Sequence, residues 1–138
     1  MGIALKHIVG SILGTFSCLV LGSIWYNVLD EFYRSHSTRR FEDTYFWMLC
    51  LGLFVICLCM SLLIEQLADV NKSVILEALI IGILTGVITG LGWNLITYAV
   101  VADGYDIHGS VVDGIFRLLE FSLAGMTIGF IHIVWNRQ

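Results

Sequence analysis

The chain has 138 residues, of which 58% are hydrophobic and only 13% charged, with a formal net charge of −4 and a mean hydropathy of +0.89. Soluble domains carry about 25% charged residues, so this composition excludes an ordinary soluble globular domain and fits a surface that faces lipid. The small, dispersed acidic balance offers no basic stripe, which excludes nucleic acid as a partner.

Four apolar runs follow in chain order, at about 8–29, 44–64, 74–101 and 114–135. About 18 or more consecutive apolar residues suffice to cross a bilayer as a helix. The expected fold is therefore an all-α, integral membrane four-helix transmembrane bundle, antiparallel and up-and-down, with residues 1–138 forming a single transmembrane domain. The first run reaches Leu29 without a small-x-small cleavage pattern, so it reads as a permanent helix rather than a secretory signal. Loop 1, Asp30 to Asp43, is the polar centre of the chain, and Glu42-Asp43-Thr44 suits the start of helix 2. Loop 2, Glu65 to Ser73, is short, which makes helices 2 and 3 neighbours. Loop 3, Ala102 to Val112, carries no basic residue.

Four spans put both termini on one side and loops 1 and 3 on the other. Basic residues divide almost evenly: Lys6, Lys72 and Arg137 on the terminal side, and Arg34, Arg39, Arg40 and Arg117 on the loop side. The acidic loop 3 tips the expectation towards cytoplasmic termini. With no proline in the chain, four largely straight helices are expected. All four cysteines (Cys18, Cys50, Cys57, Cys59) fall inside spans without a C-x-x-C motif, as buried thiols acting as small hydrophobes.

Packing provides the strongest signal. Helix 3 carries Ala78, Gly82, Gly86 and Gly90, four apart; helix 1 carries Gly10, Gly14, Cys18 and Gly22; helix 4 carries Gly125 and Gly129. Small residues at this spacing, as in a glycine zipper, let membrane helices approach closely, within one chain or between chains. One shift along the sequence aligns Gly14 with Gly82, Gly22 with Gly90 and Trp25 with Trp93, which raises an internal duplication against the plainer reading that Gly-rich membrane helices look alike. Trp25, Tyr26, Tyr33, Tyr45, Trp47, Tyr98 and Tyr105 cluster towards the loop side, with Trp135 opposite, as an interfacial belt does.

Polar residues inside apolar spans are costly in lipid and turn towards the bundle interior. On the loop side, Asn94, Asp113, Arg117 and Glu120 form the preferred polar intramembrane site, either as an interhelical clamp or as a proton, ion or solute site. On the terminal side, His7, Glu77 and His132 lie near one boundary. They read either as interfacial groups or as a proton relay, with the two histidines able to ligate a metal or haem. Asp103, Asp106, His108 and Asp113 are further oxygen and nitrogen donors around loop 3, otherwise a solvated acidic turn. No catalytic motif is present, and no cofactor is predicted.

Gly22-Ser23-Ile24-Trp25-Tyr26 at the end of helix 1 resembles the Gly-x-x-Trp-Tyr signature of a small four-helix bacterial membrane family, catalogued as domain of unknown function seventeen sixty-one. The Trp93 region, and Asp113-Gly114 through Gly125 and Gly129, are similar to its later helices, whereas Val28-Leu29-Asp30-Glu31 departs from its pattern. The resemblance implies a bacterial inner-membrane setting and no particular activity.

These features favour a non-enzymatic polytopic membrane protein acting by assembly through its Gly-rich faces, as a homo-oligomer or as a small subunit of a membrane complex. Its expected partners are the lipid bilayer and itself or another membrane protein. The alternatives are a small transporter or ion or proton channel using the polar site on helices 3 and 4, and a membrane haem or metal protein using His7 and His132.

Overall fold

The computed structural model describes residues 2–36, 46–67, 73–100 and 107–136, and these are helical almost throughout. Helix α1 spans Gly2–Val28, α2 spans Asp30–His36, α3 spans Phe46–Leu67 and α4 spans Val74–Gly86. A π-helical segment, Val87–Gly92, joins α4 to α5, Trp93–Val100, and α6 spans Ile107–Asn136. Four of the helical stretches are long and apolar enough to cross a membrane: Ala4–Val28, Phe46–Leu67, Val74–Gly92 and Ile107–Asn136.

The element bounds differ from the hydropathy reading at several ends. Helix α1 starts before residue 8 because Lys6 and His7 are packed inside the bundle. Helix α3 runs on to Leu67, which puts Glu65 on the helix one turn after Ser61. Helix α6 begins at Ile107 rather than near Asp113, because Gly109 and Ser110 are already buried and Ser110 meets Asn94 of α5. Loop 1 contains α2, whose first-turn Asp30 and Glu31 and last-turn Arg34 and His36 complement the helix dipole. Arg34 Nε donates to Asp30 Oδ2 at 2.8 Å, which raises the guanidinium pKa further. Thr44 and Tyr45, Asn71 and Lys72, and Asp103, Tyr105 and Asp106 lie outside the described residues.

The third span is not a continuous α-helix. Thr85 and Thr89 donate their hydroxyls to the carbonyls of Ile81 and Thr85, four residues back, a bonding mode that bends helices. The turn then widens, and the Trp93 N–H reaches Ile88 O, five residues back. The extra residue in the turn reorients everything after it, and Asn94 lies just beyond.

Helix α6 is the hub and touches every other element. Along it, buried residues recur every three or four positions, from Ser110 and Asp113 through Glu120, Phe121, Ala124 and Ile128 to His132. The α4–π span meets α6 backbone to backbone. A Cβ added at Gly86 would lie 2.7 Å from Leu118 Cα, and one at Gly90 would lie 2.9 Å from Gly114 O. Cβ atoms at Gly82 and Gly125 would press on the carbonyl oxygens of Phe121 and Ala78, and one at Gly129 would lie 2.6 Å from Ala78 Cβ. Helix α1 sits less tightly: Gly10 and Gly14 face side chains of Ile128, and Gly22 faces Phe116 at 3.8 Å. The pairs Gly14/Gly82 and Gly22/Gly90 thus occupy different surroundings, as do Trp25, stacked on Phe116, and the exposed Trp93.

Helix α1 is amphipathic in reverse. Its buried face consists of Lys6, His7, Gly10, Ser11, Gly14, Thr15 and Cys18, while Ile12, Phe16, Val20 and Ile24 face outward. That sign suits a hydrocarbon surround, where large apolar groups cost nothing outside and polar groups find partners inside. The remaining core is Leu53, Cys57, Met60 and Ile64 of α3 with Ala78, Ile81, Phe121, Ala124 and Ile128.

Gly86→Ala is expected to destabilise the protein by about 1–3 kcal/mol, because the neighbouring atoms are backbone and cannot rotate away. Gly52→Ala, with nothing within 4 Å, should be neutral or stabilising by up to about 1 kcal/mol. Thermal unfolding of the two variants in the same detergent checks the contrast; equal midpoints would remove the backbone-contact account.

Candidate functional site

The four residues singled out near the loop side converge. Asp113 of α6 accepts from Tyr26 Oη at 2.8 Å through one oxygen and from Asn94 Nδ2 at 2.9 Å through the other. Arg117, one turn on, holds its Nη1 2.6 Å from Glu120 Oε2 and its Nε 3.7 Å from Asp113 Oδ2. Asp113 and Glu120 are buried, and Arg117 is mostly so. Two carboxylates therefore share one guanidinium, and a buried pair of this kind needs each remaining lone pair satisfied. Tyr26 and Asn94 supply those bonds to Asp113.

Local structure explains the convergence. Asp113, Arg117 and Glu120 are spaced four and three apart, which puts them on one face of α6. The π segment re-aims α5 so that Asn94 faces that turn. Phe116 anchors the other side: Trp25 stacks on it with centroids 5.1 Å apart, and Tyr26 meets it edge-on at 5.5 Å. The aromatic residues at the end of α1 thus pack on α6 and deliver the Tyr26 hydroxyl to Asp113. A cavity of about 360 Å³ lies beside Arg117 and Glu120, walled by Cys18, Leu19, Leu49 and Leu53 and rimmed by Asn27 and Asp30.

A second ionisable cluster lies towards the other end of α6. Ser61 Oγ is 2.9 Å from both His7 Nδ1 and His132 Nε2. The opposite ring nitrogens, His7 Nε2 and His132 Nδ1, lie 3.6 and 3.7 Å from Glu65 Oε2. Lys6 pairs with the same Glu65 oxygen and lies 3.5 Å from Asn136 Oδ1. His7 and His132 come together, but their carboxylate is Glu65 of α3. Glu77 sits in the first turn of α4 instead. Glu65 was hidden from a hydropathy reading because the span was expected to end at residue 64, and Ser61 because it is one small polar residue inside an otherwise apolar run. Their spacing of four was the available signal.

The rings of His7 and His132 are 5.4 Å apart, edge to face, and both bond to one serine. Axial ligands of a haem must be separated by the porphyrin plane, a geometry that this shared-serine arrangement does not present. Of the donors around loop 3, Asp103 and Asp106 lie outside the described residues; Asp113 is committed to Tyr26 and Asn94, and His108 lies on α6 with its ring 6.2 Å from that of His36.

Between the clusters, hydroxyls and thiols of α1 and α3 line part of an otherwise apolar interior. Ser11 Oγ donates to His7 O at 2.6 Å, and Thr15 Oγ1 donates to Ser11 O at 2.8 Å. Cys57 of α3 and Cys18 of α1 are buried in the same core cluster, and Cys18 lines the cavity that Glu120 also lines. At about 1.5 Å per residue, Asp113 and His132 are roughly 28 Å apart along α6, close to the roughly 30 Å hydrocarbon thickness of a bilayer.

No protein-family model matches the chain, and no curated protein or solved structure matches it. The functional reading therefore rests on this geometry.

Replacing Arg117 with Leu leaves Asp113 and Glu120 uncompensated and is expected to cost about 3–5 kcal/mol. Tyr26→Phe removes one bond to Asp113 and should cost roughly 0.6–1.7 kcal/mol. Asn27→Ala, which loses only an exposed bond to Ser23 O, should cost less than either. Denaturation of the three variants in matched micelles tests this order; a Tyr26→Phe protein as stable as wild type would separate Tyr26 from the network.

Proposed function

We propose that this protein is an integral membrane four-helix bundle that carries protons along its polar interior. The observation that carries this reading is the seam of Ser61, Ser11, Thr15, Cys57 and Cys18, buried between an ionisable cluster at each end. Ionisable groups inside membrane spans face the bundle interior and mark ion or proton routes. Glu120 is the central group, because it adjoins both the cavity and the inner end of the seam.

The contacts support one up-and-down bundle. Lys6 at the start of α1 meets Glu65 at the end of α3, Tyr26 near the end of α1 meets Asp113 near the start of α6, and Ala78 meets Gly125 while Gly90 meets Gly114. A bacterial inner membrane with cytoplasmic termini completes the reading, on the strength of the Gly-x-x-Trp-Tyr resemblance and the acidic loop 3.

Assembly through the Gly-rich faces has weaker support. Gly82, Gly86 and Gly90 are closed against α6, and Gly125 and Gly129 against α4. The surface left for a partner consists of large apolar side chains such as Phe16, Met48 and Ile88, which lipid also covers.

Liposomes containing the purified protein, a potassium gradient and valinomycin should show proton entry by an internal pH dye. Glu120→Gln is expected to slow that entry by an order of magnitude or more while inserting normally. Wild-type rates equal to protein-free liposomes, or an unaffected Glu120→Gln variant, would sink the proton-conducting reading.

A further inference from the structure

We propose that His7, Glu65 and His132 form a binding site for a borderline divalent cation of the Zn²⁺ type. Three helices supply the donors: His7 from α1, Glu65 from α3 and His132 from α6. One donor atom from each lies within 4.8 Å of the others. Two ligands each about 2.0–2.1 Å from a tetrahedral zinc ion lie about 3.3–3.4 Å apart. The Glu65 oxygen already stands 3.6 and 3.7 Å from the facing imidazole nitrogens, so each of these two separations needs to close by only a few tenths of an ångström.

Hydrogen bonding orients the histidines for this task. A hydroxyl has one proton to donate and two lone pairs to accept with. Ser61 can donate to only one of the two ring nitrogens it touches, so at least one histidine presents its N–H to Ser61. That histidine carries its lone pair on the nitrogen facing Glu65. When both donate to Ser61, both lone pairs and the carboxylate point at one another, an arrangement that a cation between them stabilises. An imidazole that gives its second N–H to a fixed oxygen is the usual form of a metal-bound histidine.

The donor set selects the ion. Two neutral imidazoles and one carboxylate suit zinc, and more broadly cobalt, nickel or ferrous iron, over magnesium or calcium. Three protein donors leave a fourth position for water. His7 and His132 are buried, whereas the Glu65 side chain is 37% exposed, which gives the ion a way in past the carboxylate. Lys6 is the built-in competitor. Its ammonium pairs with the same Glu65 oxygen and has Asn136 Oδ1 as a second partner 3.5 Å away, to which it can retreat on its flexible stem as the metal enters.

The test uses the full chain without an affinity tag, stripped with a chelator in mild detergent, and the metal alone as probe. It does not depend on proton conduction. Titration with Co²⁺ should give the visible bands of a tetrahedral ion at one equivalent, and Zn²⁺ should abolish them. His132→Gln and Glu65→Gln should lose the bands, Glu120→Gln should keep them, and Ser61→Ala should weaken binding by about 10–100-fold. Lys6→Met should tighten it. No bands in the wild type, or unchanged bands in His132→Gln, would overturn the site. Should the glutamine variants fail to elute as single species, X-ray absorption of the Zn²⁺-loaded wild type decides. Two imidazoles with oxygen in the inner shell support the proposal, and a sulfur-containing or all-oxygen shell refutes it.

Discussion

The close approach of the α4–π span to α6 is the contact on which the rest of the structure depends. Lipid gives no hydrophobic reason for helices to associate, so association rests on van der Waals contact and hydrogen bonds. Glycines on both partners let backbone meet backbone from Val74 to Gly90 of one span and from Gly114 to Gly129 of the other. With one side of α6 closed in this way, its next face, bearing Asp113, Glu120 and His132, turns towards α1 and α3.

That arrangement decides the character of the interior. The large apolar side chains of α1 cover the outside, and its hydroxyls, Cys18 and ionisable groups turn inward beside an apolar core that includes Leu53, Met60, Ile64, Phe121 and Ile128. Such an interior is tolerable only because its polar atoms bond to one another: among the described residues, no buried side-chain nitrogen or oxygen lacks a hydrogen-bond partner. Ser61 shows the economy of the scheme, since one hydroxyl holds two histidines from different helices. Tyr26 and Asn94 do the same for Asp113, from helices on either side of α6.

The two ionisable clusters differ in how charge is balanced. At the loop end, the charges of Asp113, Arg117 and Glu120 all come from one helix, so their pairing is set by helical spacing, and the neighbouring helices add neutral donors. At the other end, the ionisable groups come from three helices, and no pair exists until those helices pack. The first cluster is a property of α6 that the bundle encloses; the second is a property of the bundle itself.

This difference also separates what could be read in the chain from what could not. Hydropathy alone determined the helical class and the four apolar stretches, because a span must be long and apolar whatever it packs against. Spacing on one helix was enough to group Asp113, Arg117 and Glu120, and to mark Gly82, Gly86 and Gly90 as a close-packing face. Only the tertiary structure decided that this face closes on α6 within the chain, since small residues fit a partner from either source. It alone brought Lys6, His7, Ser61, Glu65 and His132 together, because residues on three helices have no common period in sequence. The helix ends followed the same rule: Lys6 and Ser110 look like boundary residues by polarity, and only burial against neighbours makes them interior.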